Sequence, residues 1–174
     1  MFVIEASSYQ LDYSKLFTSK YAAILNISPD HLERHKTLRN YISAKFKLVK
    51  NQNHDSIAFI NKHDKFLQKE IKKKKYKSKI IKVETRLKDR TVNTFKNEYF
   101  LSESNKENLS FIIQIAKNFK VKKNTLVKSI KNFKGLKYRQ QVIFDNKNIS
   151  VINDSKSTSY SSSIEILKKN KNIY

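Results

Sequence analysis

Short apolar runs separated by helical periodicities divide this chain. The runs "FVI" at 2–4, "YAAILNI" at 21–27, "SIAFI" at 56–60 and "KIIKV" at 79–83 read as buried strands. Helical patterns lie between several of them, and that alternation predicts a mainly parallel sheet covered on both faces. In "TLRNYISAKFKLVKN", Leu38, Tyr41, Ile42, Leu48 and Val49 form an apolar stripe at helical spacing. The segment from Thr91 to Leu101 alternates weakly and reads as a strand or hairpin. From Asn105 to Phe119 the period is helical again, with Leu109, Ile112, Ile113, Ala116 and Phe119 on one face. A second helix is expected from a cap at Asn124, with Leu126, Val127 and Ile130 inward, stopping near Gly135. Beyond Gly135, "QVIFDNKNISVIND" reads as two strands joined by a turn at Asp145–Asn148. A polar loop, "DSKSTSYSSS", and a helix start, "SIEILKK", follow. A domain boundary is expected near Gly135–Leu136, giving domains 1–135 and 136–174. The second is short for an independent domain, so the chain reads as a fragment.

Composition narrows the chemistry. With no Cys, a disulfide framework or thiolate metal site is impossible, which fits a reducing cytosol. No apolar run approaches the ~18 residues of a membrane span. The single glycine, Gly135, excludes both a G-x-x-x-x-G-K-[ST] phosphate loop and a G-x-G-x-x-G dinucleotide loop within this sequence. The formal net charge of +22 raises a basic nucleic-acid-binding module as one alternative. Against it, 32 of the 37 basic residues are Lys, and nucleic-acid surfaces favour the planar fork of Arg. The run "KEIKKKKYKSK" is most simply a solvated helix face and loop.

Several polar groups stand where strands end. Glu5 closes the first apolar run, and the second leads into "SPDHLERH", with Asp30, His31, Glu33 and His35. Ligands of parallel sheets bind beyond the carboxyl ends of the strands, so Glu5 and His31 could face one crevice and hold a divalent cation. A helix cap with a surface histidine explains the same residues. Lys45 falls inside the apolar stripe, seven residues after Leu38 and four after Tyr41. It either extends its amine outward or is desolvated; a desolvated, neutral amine can add CO₂ to give a metal-binding carbamate. Asn105 and Asn108, Arg139, and Asp154 with Ser155, Lys156 and Thr158 supply amides, a cation, a carboxylate and hydroxyls suited to a nucleotide and an anionic substrate. Each is also explained by capping or turn chemistry.

In this order the motifs resemble the Mur ligases, on the branch that joins D-glutamate to UDP-N-acetylmuramoyl-L-alanine. The likeness runs from Glu5 to about Thr158 through "EASSYQL", "ILNISPDHLERH", "YISAKFKLV", "NKEN", "FKGLKYRQQ" and "NDSKSTS". It implies the later part of a central ATP-binding domain, a mainly parallel α/β sheet with flanking helices, followed by the start of a Rossmann-like C-terminal domain. It further implies ATP and Mg²⁺ as cofactors, those two substrates, and a monomeric complete enzyme. Glu5 and His31 would be Mg²⁺ ligands and Lys45 the carbamylated lysine. Asn105, Asn108, Arg139 and Asp154 would contact ATP. Lys156 would lie near the phosphates or reacting acyl group, and Ser155 and Thr158 near the substrate. Ser104 and Tyr138 stand where the family carries His, and Ser159 where it carries Asn. A sister ligase or a folylpolyglutamate synthetase is the nearest alternative. Lacking the phosphate loop, the chain alone is expected to be inactive. For the metal site, the Glu5 carboxylate, His31 ring and Lys45 amine are expected within roughly 10 Å, from parallel neighbouring strands.

Overall fold

A computed structural model of the protein describes residues 2–29, 31–146, 148–157, 163–164 and 167. The chain forms two compact units, one of residues 1–88 with 106–121, the other of 89–105 with 122–174.

The first unit is built on three parallel strands in the order β1 (Tyr21–Ile24), β2 (Ile57–Asn61), β3 (Lys79–Val83). In-register residues share a face. Ala22 pairs with Ala58 and that with Ile80; Ala23 pairs with Phe59 and that with Ile81. The first row joins Ile24, Ile60, Tyr41, Phe46, Val49 and Leu67 in one core, beneath α3 (Leu38–Lys50) and α4 (Lys65–Lys73). The second row faces the opposite way, where Phe59 and Val83 meet Phe111 and Ile115 of α6 (Glu103–Asn118). Burial on both faces explains why these strands read as continuous apolar runs rather than alternating ones.

Local chemistry sets the helix boundaries. The Thr37 hydroxyl accepts from the Asn40 N–H to start α3, and the Asp64 carboxylate accepts from the Leu67 N–H to start α4. The other Asp64 oxygen accepts from the Ile27 N–H at 2.7 Å, tying the loop after β1 to the end of β2. At the same edge, the buried Asn61 side chain accepts from the His63 N–H and the Thr85 hydroxyl.

The run Phe2–Ile4 is not a strand. It is irregular, and Phe2 and Val3 are 95% and 92% exposed. An apolar run becomes a strand only where a neighbour takes its N–H and C=O groups. Among the described residues β1 pairs with β2 alone, so no strand lies on its other side.

In the second unit, the segment expected as a strand or hairpin is helical: α5 (Asp89–Asn93) and a 3₁₀ turn at Glu98–Leu101. Val92 and Phe95 lie one helical turn apart and both are buried, a spacing that the weak alternation obscured. α7 (Lys123–Lys131) begins ahead of the expected cap, with Lys122 at the N-cap position and Asn124 inside the helix, and it ends at Asn132, before Gly135. Gly135 is needed for another reason. Its φ is +80°, and a Cβ there would come within 2.9 Å of the Tyr99 ring. β4 (Gln141–Asp145) and β5 (Ser150–Asn153) form the antiparallel hairpin that the pattern predicts. Ser163, Ile164 and Leu167 are helical, as "SIEILKK" suggests, and the rest of that segment lies outside the described residues.

One surface cluster carries a pH dependence. Glu84 accepts from the Lys62 ammonium at 2.9 Å and meets the His63 ring; these two bonds hold its carboxyl at about 2, against an ordinary 4.5. A carboxyl depressed on folding adds stability above its unfolded value and loses it as pH falls toward the folded one. The contribution should therefore disappear between pH about 4.5 and 2. Glu84 is half exposed, so solvent keeps the effect within about 1 kcal/mol. Urea unfolding of Glu84→Gln and the parent chain should converge below pH about 3; a constant gap at every pH would show that the carboxylate's charge is irrelevant.

Candidate active site

The "EASSYQL" segment turns because its serines have separate tasks. Ser7 caps α1 (Ser8–Tyr13): its hydroxyl accepts from the Gln10 N–H, and the Gln10 side chain accepts from the Ser7 N–H at 2.8 Å. Ser8 is buried, with its hydroxyl 3.0 Å from Nε2 of the buried His35. The Ser-x-x-Gln capping box was readable in the sequence; the Ser8–His35 contact, between residues 27 apart, was not.

The turn brings Tyr9 against both histidines of "DHLERH". Its ring centroid is 4.9 Å from that of His31 and 5.6 Å from that of His35, and its hydroxyl donates to Glu33 at 3.2 Å. Sequence reasoning did not single out Tyr9. His31 sits in the left-handed region (φ 54°, ψ 32°), immediately before α2 (Leu32–His35), and Nδ1 lies 3.7 Å from a Glu33 oxygen. Non-glycine residues adopt that conformation rarely, although His does so more than most. Asp30 lies outside the described residues.

Lys45 projects from α3 between the buried Ala44 and Phe46. Its side chain is half-buried. The ammonium stands 3.5 Å from the Asn26 carbonyl and 4.9 Å from the Tyr41 ring centroid. Glu5 is exposed and precedes α1 in irregular chain, so the expectation that it ends a strand parallel to the one before His31 does not hold. Glu5 and Lys45 nonetheless line one groove of about 950 Å³, along with β1, Asn26 and the apolar Phe59 and Phe119. His31 is not among the residues that line it. Among the described residues no three His, Asp or Glu side chains gather in a way that could hold a metal ion. Glu5 is the one acidic side chain among the residues that line this groove.

The remaining candidates are distributed as follows. Asn105 is buried and belongs to the second unit; its side-chain N–H donates to the Tyr99 carbonyl at 2.7 Å. Asn108 is half-buried and belongs to the first unit. Arg139 is exposed in a tight turn between Tyr138 and Gln140, both at positive φ. The Gln140 N–H donates to Asp154 Oδ1 at 3.0 Å, while Asp154 Oδ2 is buried and finds no hydrogen-bond partner among the described residues. Burial pushes the Tyr99 phenol up, Arg139 opposes that shift and Asp154 adds to it, so both charges act on Tyr99. The Lys156 N–H donates to the Tyr138 carbonyl at 3.1 Å and the Ser155 N–H to the Asn153 side chain at 3.0 Å; both side chains are exposed. Thr158 lies outside the described residues.

The Mur ligase middle-domain model matches residues 1–128. The chain belongs to the Mur ligase family. Curated relatives of this Mur ligase chain carry the name UDP-N-acetylmuramoylalanine–D-glutamate ligase. One from Rickettsia felis is 35% identical over 99% of this chain and 42% of its own length. One from Rickettsia prowazekii is 36% identical over 99% and 43%. One from Alkaliphilus oremlandii is 35% identical over 94% and 40%. The chain thus spans less than half the length of the curated relatives it matches.

Proposed function

We propose that this chain is part of an ATP-dependent amide-bond ligase of peptidoglycan synthesis, one that joins D-glutamate to UDP-N-acetylmuramoyl-L-alanine. The observation that carries this reading is the similarity, over 99% of the chain, to relatives bearing that enzyme's name. Residues 1–135 would be the later part of the central ATP-binding domain, and 136–174 the beginning of the C-terminal domain. The reaction would pass through an acyl phosphate: the substrate carboxylate takes the γ-phosphoryl group of ATP, and the D-glutamate amine then displaces phosphate.

The residue roles are those that the family resemblance implies. Mg²⁺, when bound, supplies positive charge against the charge that accumulates during phosphoryl transfer. Glu5, His31 and a carbamylated Lys45 would hold it; Glu5 and Lys45 share one groove, which supports those two, and His31 does not line it. The unpartnered Asp154 oxygen is a buried acceptor suited to a nucleotide hydroxyl, and Arg139 to a phosphate. Asn105 and Asn108 would contact ATP. Lys156 would offset charge near the transferring group, with Ser155 and Thr158 toward the acceptor.

The test is a chimera in which this chain replaces the matching 42% of the Rickettsia felis relative. Expected is phosphate release that requires ATP, UDP-N-acetylmuramoyl-L-alanine and D-glutamate together. A chimera with native circular dichroism that releases no phosphate would overturn the reading. One that prefers another amino acid would overturn the acceptor assignment.

A further inference from the structure

A second pocket in the first unit, about 310 Å³, shares no lining residue with the groove of Glu5 and Lys45. Three helices converge on it: α1 contributes Asp12, α2 Arg34 and His35, α3 Asn40, Ser43 and Lys47, and Lys36 lies in the turn between α2 and α3. Arg34, Lys36 and Lys47 bring three permanent positive charges to one carboxylate. Asp12 is already taken: Lys47 donates to its side chain at 3.0 Å and to its carbonyl. Neither Arg34 nor Lys36 has a carboxylate within 4 Å among the described residues. The Lys47 hydrogen bond and, more weakly, the charge of Arg34 lower the Asp12 carboxyl; that single carboxylate is shared among three cations, and the pocket stays net positive.

These cations are not scattered surface lysines. The Arg34 guanidinium donates to the Tyr13 hydroxyl and lies over that ring, 5.1 Å from its centroid, which fixes its plane and leaves its other N–H groups free of carboxylates. Lys36 has φ 62° and ψ −37°, and across it the Thr37 N–H donates to the His35 carbonyl at 2.7 Å. That is a γ-turn of positive φ, a rare and strained form for a residue with a side chain. The Asn40 side chain donates to the same carbonyl at 3.0 Å and braces the turn. Ser43 accepts from Lys50 at 3.1 Å, so its own hydroxyl hydrogen remains available as a donor. A rigid fork, a point charge and a hydroxyl around a polar concavity match the needs of a tetrahedral oxyanion.

We propose that this pocket binds a phosphate group, held between Arg34 and Lys36 with the Ser43 hydroxyl as a further donor. The group is either free phosphate or the terminal phosphate of a nucleotide; both present the same oxygens.

The experiment is a titration of the ¹⁵N-labelled chain with inorganic phosphate, and separately with ADP, against sodium chloride at equal ionic strength. Saturable amide shifts confined to residues 34–43 are expected with phosphate and not with chloride. Tighter binding of ADP than of phosphate would assign the group to a nucleotide, and weaker binding to the free ion. Arg34→Gln should weaken binding at least tenfold. Lys36→Gly should weaken it about fivefold while leaving the melting temperature unchanged or higher, since glycine adopts this turn without strain. The double variant Lys74→Gln/Lys75→Gln, in the exposed segment after α4, should bind as the parent does. Shifts spread evenly over the lysine surface, or unchanged affinity in both pocket variants, would overturn the proposal.

Discussion

Lys45→Ala, introduced into the ligase chimera, is expected to lower turnover by about a thousandfold, equivalent to roughly 4 kcal/mol of transition-state stabilisation. The argument starts from placement. Lys45 is carried by a helix whose neighbouring positions Ala44, Phe46 and Val49 are buried, so its backbone cannot drift. Its amine is held beside the Asn26 carbonyl and the Tyr41 ring, and it lines the groove that Glu5 also lines. An ammonium there would repel a cation, whereas a carbamate would give it oxygen ligands. Two controls separate these cases. Lys45→Arg keeps the charge but forms no carbamate, so it should be as inactive as Ala. Added formate or acetate should partly restore Lys45→Ala by standing in for the proposed carbamate, and should do nothing for Lys45→Arg, whose side chain fills the space. Steady-state phosphate release reads all three. Near-normal turnover in Lys45→Ala would mean that the lysine serves only to cover apolar surface.

Phe46→Ala is expected to destabilise the first unit by about 3–5 kcal/mol, a large share of a typical domain's 5–15. Phe46 is fully buried between α3 and the sheet, in one cluster with Ile24, Ala58, Ile60 and Leu67, and its ring centroid is 5.9 Å from that of Tyr76. Truncation removes the buried ring and leaves a cavity that the flanking strand cannot fill without breaking its ladder. Urea unfolding followed by circular dichroism measures the loss. Phe2→Ala provides the comparison: that ring is 95% exposed, and removing it should change stability by less than about 0.5 kcal/mol. A Phe46→Ala effect as small as that would mean that the core closes around the gap.

What sequence alone determined about this protein is the part whose cause lies within a few residues. Although the caps expected at Asn124 and Gly135 do not hold, the three parallel strands, the helix that carries the Leu38–Val49 stripe, the two helices at 103–118 and 123–131 and the β4–β5 hairpin follow from local periodicity. So does the order of the motifs that mark the Mur ligase family. The tertiary structure decided whatever needs a partner from elsewhere in the chain. Phe2–Ile4 carries the pattern of a strand and is not one: among the described residues its backbone groups take no ladder partner, although the far edge of β1 is open. Gly135 looks like a helix cap, but its conformation and the Tyr99 ring 36 residues earlier explain it instead. The buried Ser8–His35 contact joins residues 27 positions apart, and the pocket groups Asp12 with Arg34, Lys36 and Lys47, 22 to 35 positions later. Periodicity cannot encode such contacts, because they arise only when packing of the apolar faces brings the helices together.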